Sequence, residues 1–370
     1  MSILLDKTLV IDALIFKNGK AYGYQEFLFN LLDYFSEHRY SFNYVRIILA
    51  CPKSQTIYFE KYNSKFEILG FNAENKKNHL LVQNRLEKNL QLKKDDVVLF
   101  TYNYSSLFKH CKHVLIVHDL LYLRKRYLPK RLMRWQRKIF MPISLKKADK
   151  IIAISEFTKK DIINNYKVNN SKICTIYNYF NFNKYFPIDN YFKCERPYFV
   201  SICSNAFHKN TVSVLKAYKL FCEQDNEHDI VFIGSLSDNT SEAFIEYDSF
   251  PIGIKNRIHI LSHISNEELG MIYRNAKCFI LLTLFEGLGM PIVEAMYFNL
   301  PLILSDLDVC REVVGNAHAN FVNPFDIQKI KELMLEIIKS KNTINTNSII
   351  KERFSQENTS GKYIELLNHL

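Results

Sequence analysis

Residues 279–296 read FILLTLFEGLGMPIVEAM, and the way this stretch parses decides the fold. Phe279, Ile280, Leu281 and Leu282 form an apolar run too short for a helix and typical of a strand buried on both faces of a parallel sheet. The strand should end near Thr283. Glu286, Gly287, Leu288 and Gly289 follow, where two glycines let the backbone take conformations and close approaches that a Cβ forbids. Pro291 favours a helix start because its missing N–H would be unpaired there and its φ is already helical, so the pattern predicts a helix from Pro291 to Tyr297. Strand, glycine turn and helix N-terminus together aim unpaired N–H groups and the positive end of a helix dipole at one spot, which suits a phosphate. Glu286 and Glu294 stand at either end of that turn. A carboxylate accepts paired hydrogen bonds from a vicinal diol, so a sugar and a ribose on either side of a diphosphate would match the layout. The ligand implied is a nucleotide sugar.

Outward from this stretch, the 370-residue chain with 48% hydrophobic residues is long enough for two domains, each with its own core. Apolar runs long enough to span a membrane are absent from the sequence, and Asp6, Lys7 and Asp12 interrupt the N-terminal apolar stretch. Neither a membrane span nor a signal peptide is expected, and the expected location is the cytoplasm. The eight cysteines are scattered without C-x-x-C pairs, a pattern that argues against a zinc site or a disulfide framework and for reduced core residues. The net charge of +11 is unevenly divided: residues 1–190 hold 32 Lys/Arg against 16 Asp/Glu, and residues 191–370 hold 17 against 22. The basic half is therefore expected to face something anionic: nucleic acid, a membrane surface or a phosphorylated acceptor.

In chain order, Leu9–Leu14 reads as a buried strand, followed by a loop with Gly19 and Gly23 and an amphipathic helix through Phe27, Leu28, Leu31, Leu32 and Phe35. The opening is Rossmann-like, but the glycine spacing is not G-x-G-x-x-G. Val45–Ala50 and Asp96–Phe100 read as strands. The run from Val114 delivers His118 and Asp119 at a strand's C-terminal end, where open α/β sheets place ligand sites. Residues 124–138, RKRYLPKRLMRWQRK, carry eight positive charges in 15 residues with no acid; Arg124, Arg126, Arg131 and Arg134 alternate with apolar side chains and Trp135. Such a pattern suits an anionic membrane surface or the diphosphate of a lipid-linked acceptor. Ser155 caps a helix over Glu156–Tyr166. Tyr179–Pro197, without periodicity, reads as a linker. Tyr198–Cys203 opens the second domain, with Lys209 at the strand exit. Asp229–Gly234, Ile258–Leu261 and Pro301–Leu304 supply further strands, Ile327–Ile338 an amphipathic helix, and Ser355 caps a last helix to Leu370.

EGLGMPIVEAM resembles the EGFGLPxxEAM segment of retaining GT-B glycosyltransferases, glycosyltransferase family 4 or "glycosyl transferases group 1", whose signature is two glutamates separated by seven residues. Ile116–Ile162 resembles that family's IHD…P…ADxIIAxSxFxKxDI pattern, and Val309–Pro324 its REVVG…VxP segment. The resemblance covers residues 9–370, strongest over 258–324 and weakest over 16–112. It implies two Rossmann-like domains facing across a cleft: an acceptor-binding domain over 1–190, a nucleotide-sugar-binding domain over 191–350, and a crossover helix over 351–370 returning to the first. It also implies that Glu294 holds the ribose, Glu286 the donor sugar, and Lys209 the diphosphate together with the Gly287–Leu288–Gly289 turn. His118 would contact the transferred sugar as an orienting group or hydrogen-bond donor. Gly19 and Gly23 would lie in the loop facing donor phosphate and acceptor. His208 stands where the family has an arginine before Lys209, which removes a fixed cation at neutral pH. Leu282-Thr283 replaces the frequent Pro-Ser, and Asn178-Tyr179 the usual Asn-Gly.

The expected protein is thus a retaining, metal-independent hexosyltransferase without a cofactor, using a nucleotide diphosphate sugar and a glycan or lipid-linked acceptor on the inner face of a bacterial membrane, in surface polysaccharide synthesis. No D-x-D metal motif accompanies the phosphate site. Three rival readings are a catalytically silent partner subunit, a nucleotide-sugar epimerase or phosphorylase sharing the fold, and a nucleic-acid-binding protein; a phosphorylase would need a cofactor lysine that the sequence does not show, and the nucleic-acid reading leaves the acidic half and the paired carboxylates unexplained, with no nucleic-acid module recognisable.

Overall fold

Continuous apolar runs alternating with amphipathic helices leave one stable arrangement, parallel strands covered on both faces, and the chain adopts it twice. The computed structural model describes every residue except 1–4, 19–21, 125, 128–130, 190 and 341–345, and additionally leaves out the side chains of residues 5–6, 22, 76–78, 131–133 and 347. The chain forms two compact units: residues 1–179 with 353–370, and residues 180–352.

In the first unit the elements follow as β1 (Leu5–Asp12), α1 (Tyr22–Glu37), β2 (Tyr44–Pro52), β3 (Glu67–Phe71), α2 (Lys76–Asn89), β4 (Val97–Phe100), β5 (Lys112–Val117), α3 (Arg131–Lys147), β6 (Lys150–Ala153), α4 (Glu156–Tyr166) and β7 (Ile173–Thr175). The strands order as β3-β2-β1-β4-β5-β6-β7, with every described pairing parallel. Val10, Ile48, Val98, Leu115 and Ile151 are fully enclosed. Ser155 accepts from the Thr158 amide and so starts α4 where its sequence predicts.

The second unit runs β8 (Tyr198–Cys203), α5 (Thr211–Phe221), β9 (Asp229–Gly234), α6 (Glu242–Asp248), α7 (Ile252–Lys255), β10 (Ile258–Leu261), α8 (Asn266–Asn275), β11 (Cys278–Leu281), α9 (Met290–Tyr297), β12 (Leu302–Ser305), α10 (Asp308–Val314), β13 (Asn320–Val322) and α11 (Ile327–Lys339). Its parallel sheet orders as β10-β9-β8-β11-β12-β13. A reciprocal capping box, Ser265 with Glu268, opens α8. Residues 180–190, expected from sequence to end the first domain and start a linker, group with this unit. Phe180 packs on Tyr297 and Tyr185 on Phe298, with ring centroids 5.6 and 5.5 Å apart.

After α12 (Asn347–Phe354) the chain ends in α13 (Lys362–Asn368). The expected single helix from Ser355 is interrupted by a wider turn over Glu357–Gly361. The C-terminal segment belongs to the first unit: the Tyr44 hydroxyl donates to the Leu367 carbonyl at 2.6 Å, the Asn43 amide to Asn368 Oδ1 at 2.9 Å, and Asn368 Nδ2 to the Ser41 carbonyl at 2.7 Å. Leu367 is fully buried beneath these bonds. Leu367→Ala should destabilise the first unit by about 2–5 kcal/mol through the cavity left behind. Hydrogen exchange followed by mass spectrometry should show faster exchange in residues 1–179 and none of the loosening in 180–352.

Candidate functional site

In the second sheet, β8 and β11 are neighbours, paired Phe199 to Cys278 and Ser201 to Ile280. They flank the point where the strand order reverses, so the loops leaving their carboxyl ends diverge and open a crevice there. The β8 loop carries Lys209 and the β11 loop carries Glu286. Several bonds hold the two loops together. The His208 carbonyl accepts from the Leu284 amide at 2.7 Å and from the Thr283 hydroxyl at 2.9 Å, while Asn210 Nδ2 donates to the Leu282 and Pro324 carbonyls at 2.9 and 3.1 Å. This fixed frame lets Lys209 Nζ meet Glu286 Oε1 at 2.7 Å, with both side chains mostly shielded from solvent.

Behind Glu286 the turn closes onto α9. Gly289, its N-cap, has φ +91°, in the left-handed region. A Cβ there would stand 3.2 Å from Ile292 Cδ1, so a side chain would meet both backbone strain and crowding. Leu288 is buried, and Pro291 sits in the first turn as predicted. The helix N-terminus and Lys209 therefore present positive potential beside a carboxylate.

Glu294 lies one turn into α9 and is buried. The Tyr185 hydroxyl donates to its Oε1 at 3.0 Å and the Tyr273 hydroxyl to its Oε2 at 3.1 Å, with Lys184 Nζ 3.7 Å from Oε1. These three partners are not legible as site residues in the sequence. Lys184 and Tyr185 come from the apparent linker, over a hundred positions away in sequence, and Tyr273 reads as an ordinary core position of α8.

In the first unit, β5 delivers His118 to the carboxyl end of its sheet, as expected. The His118 amide donates to Asn103 Oδ1 at 2.7 Å, and its Nε2 lies 2.9 Å from the Thr101 carbonyl. A carbonyl can only accept, so Nε2 carries the proton. The ring lies against Phe27 and Tyr102, with centroids 4.9 and 5.6 Å away. Burial pushes its pKa below the ordinary imidazole value, against smaller raising effects of the Thr101 bond and Asp119. A neutral ring with Nε2–H leaves Nδ1 as an acceptor, so His118 would orient a hydroxyl by accepting from it rather than by donating.

The other expected acceptor-side residues are more dispersed. Gly23 lies in the first turn of α1 rather than in the preceding loop, exposed and with nothing within 4 Å of the place a Cβ would occupy. Gly19 and the Arg131 side chain lie outside the described residues. Arg124 Nη2 donates to Asp161 Oδ1 at 2.9 Å, Arg126 is exposed, and Arg134 is half-buried. Trp135 is 59% exposed, and so on the same face of α3 is Ile139 at 53%.

Two parallel sheets of this kind, with helices on both faces and the C-terminal segment returned to the first unit, make up the GT-B fold. The description "Glycosyltransferase Family 4" matches residues 25–184 and "Glycosyl transferases group 1" residues 188–356, and the chain belongs to this glycosyltransferase family. It is 27% identical over 213 residues to the O-antigen chain mannosyltransferase RfbU of Salmonella typhimurium, 57% of each chain. It is 25% identical over 239 residues to the O-antigen chain mannosyltransferase B of Escherichia coli, 61% of each. The matched segment thus spans about three-fifths of the length of these relatives. Among solved structures, HepE of Anabaena in complex with UDP-glucose has the same fold, with a TM-score of 0.71 at 14% identity over 98% of this chain and 100% of that one.

Nitrogen-15 NMR of the histidine rings should find His118 neutral and protonated at Nε2 at pH 7.5. An Nδ1–H or doubly protonated ring at that pH would contradict the arrangement.

Proposed function

We propose that the protein is a retaining glycosyltransferase that moves a hexose-type sugar from a nucleotide diphosphate to a glycan or lipid-linked glycan acceptor in bacterial surface polysaccharide synthesis. One observation carries the reading: Lys209 and Glu286 meet at the mouth of the glycine turn, with Glu294 one helical turn behind it. The names of the two O-antigen relatives favour mannose as the sugar.

In this reading Lys209 and the α9 N-terminus take up the charge that develops on the leaving diphosphate as the bond to the sugar's anomeric carbon breaks. Charge stabilisation by Lys209 and backbone N–H groups makes the transfer independent of a metal. Glu294, aligned by Tyr185 and Tyr273, holds the ribose diol, and Glu286 holds the sugar hydroxyls. The acceptor hydroxyl forms the new bond on the face the diphosphate leaves, which preserves the anomeric configuration. Its proton passes to a donor phosphate oxygen, with Glu286 as the competing acceptor.

The protein would act in the cytoplasm at the inner face of the membrane. Among the described residues, no helix is long and apolar enough to cross a membrane. The exposed Trp135 and Ile139, flanked by Arg134 and Lys138, give α3 an amphipathic surface of the kind that rests on anionic lipid, each basic residue contributing about 1 kcal/mol.

A ligand that binds only the folded state raises its stability. A thermal-shift panel of UDP-, GDP-, ADP-, CMP- and dTDP-sugars should therefore show one nucleotide series stabilising the wild type, and Glu294→Ala should abolish that response. Silence of every series, with acceptor lipid present, would contradict the reading.

A further inference from the structure

At the amino edge of the second sheet, the end of the strands away from the glycine turn, three side chains from separate segments converge. Asp229 is the first residue of β9 and His259 the second of β10, and Cys194 lies four residues before β8. Cys194 Sγ is 3.4 Å from Asp229 Oδ2 and 3.6 Å from His259 Nε2, and His259 Nε2 is 2.8 Å from Asp229 Oδ2. No short ligand motif joins positions this far apart in the chain, which is why the cysteine spacing argues against a zinc site when the sequence is read alone.

The triangle has nearly the dimensions of one face of a tetrahedral metal site. With metal–sulfur bonds of about 2.3 Å and metal–nitrogen and metal–oxygen bonds of about 2.0–2.1 Å, tetrahedral angles put sulfur about 3.5 Å from the other two donors and nitrogen about 3.3 Å from oxygen. Both sulfur distances agree with this. The nitrogen–oxygen edge is short by about 0.5 Å, because a hydrogen bond closes it: a carboxylate accepts, so Nε2 carries the proton. The same geometry rules out a nucleophile relay, in which acid and nucleophile engage opposite nitrogens of the imidazole. Here both meet Nε2.

The cluster is reachable and is set before an ion arrives. Cys194 and His259 are partly exposed, and Cys194 lines an open cavity of about 420 Å³ with Tyr191 and Lys277. The Asp229 amide donates to the Pro197 carbonyl at 2.9 Å, and the Phe192 ring lies against His259 with centroids 5.2 Å apart. A preformed site reduces the ordering that binding requires. A second cluster, Glu87, Cys111 and His113, lacks these properties. It is fully buried, and its carboxylate already accepts from the His110 and Cys111 amides at 2.6 and 3.1 Å and meets His113 Nε2 at 2.7 Å.

The surroundings also select the kind of ion. Arg196 Nη1 and Arg257 Nε lie 3.6 and 3.8 Å from Asp229 Oδ1 and offset the charge of the carboxylate. Ions held mainly by charge and oxygen ligands, such as magnesium and calcium, therefore gain little. Burial first, then the bond to Asp229, push the Cys194 thiol up to about 11, so an ion must bind thiolate strongly to displace its proton.

We propose that Cys194, Asp229 and His259 form a site for a thiophilic divalent cation of the zinc class, with water as the fourth ligand, and that the ion pins residues 191–197 to the amino edge of the sheet. On binding, the thiol proton leaves to solvent and the imidazole proton moves to Nδ1, which frees Nε2 to coordinate. The inference is independent of the transferase reading, since Lys209 and Glu286 lie in loops at the carboxyl ends of the strands.

Cobalt(II), added to the full chain after removal of metal by chelation, reports coordination through its colour. One equivalent should produce a thiolate-to-cobalt charge-transfer band and the intense visible bands of four-coordinate cobalt. Zinc should bleach both, and magnesium or calcium neither. Cys194→Ser should abolish the charge-transfer band, and His259→Gln should weaken zinc binding by roughly 100-fold or more. Cys174→Ser, at another partly exposed cysteine, should leave both as in the wild type. Zinc should also raise the melting temperature of the wild type and not that of Cys194→Ser. A cobalt spectrum without the charge-transfer band, a band lost in Cys174→Ser instead, or zinc binding unchanged in Cys194→Ser would overturn the proposal.

Discussion

In the proposed reading the second unit's chemistry depends on the ion pair between Lys209 and Glu286, which exists because two strands far apart in sequence are neighbours in the sheet. β8 and β11 pair at the reversal of strand order, so the loops at their carboxyl ends separate while remaining within reach of each other. The carbonyl of His208 and the side chain of Asn210 lock the two loops in register. A cation and a carboxylate held 2.7 Å apart neutralise one another, and each is also a binding group of opposite preference. A diphosphate competes for the lysine and a polyhydroxyl sugar for the glutamate. A donor containing both groups, joined at the anomeric carbon, can satisfy the two at once.

The first unit repeats the device with different chemistry. Its reversal lies between β1 and β4, and the crevice there is lined by aromatic rings, with Lys17 and Arg137 as its cations. His118, one strand further on, is held in a single tautomer by a backbone carbonyl, and burial pushes its pKa down. One sheet thus presents a carboxylate and a cation, the other the His118 imidazole and two cations that have no carboxylate within ion-pair distance among the described residues.

The stretch from Phe279 to Met296 is legible in the sequence because every local signal in it agrees: apolar run, paired glycines, proline in the first turn of a helix, and two glutamates at fixed spacing. The strands ending at Val117 and Cys203 are legible for the same reason, as continuous apolar runs. Short edge strands are not: Ile173–Thr175 and Asn320–Val322 have only three residues each, too few for periodicity to show. Lys184 and Tyr185 look like linker because aromatic residues spaced by Asn and Asp match neither helical nor strand period; their role depends on where Glu294 and Tyr297 lie in three dimensions. Gly23 falls inside the helix rather than in the loop before it, since glycine carries little signal of its own within a first turn. The cavity beside Tyr102 draws on β1, α2, β4 and α3 together, and no single window of sequence contains it.

The most direct test of the account is a comparison of affinities for a nucleoside diphosphate and for the corresponding nucleotide sugar, measured by calorimetry on Lys209→Met, Glu286→Gln and Glu294→Gln. Lys209→Met should weaken both ligands alike, because the diphosphate is common to them. Glu286→Gln should weaken only the nucleotide sugar, and should leave the nucleoside diphosphate unchanged or bind it more tightly, because Lys209 is released from its carboxylate. Glu294→Gln should weaken both through the ribose. Equal losses for the two ligands in Glu286→Gln, or no loss in Lys209→Met, would contradict the division of labour described for this site.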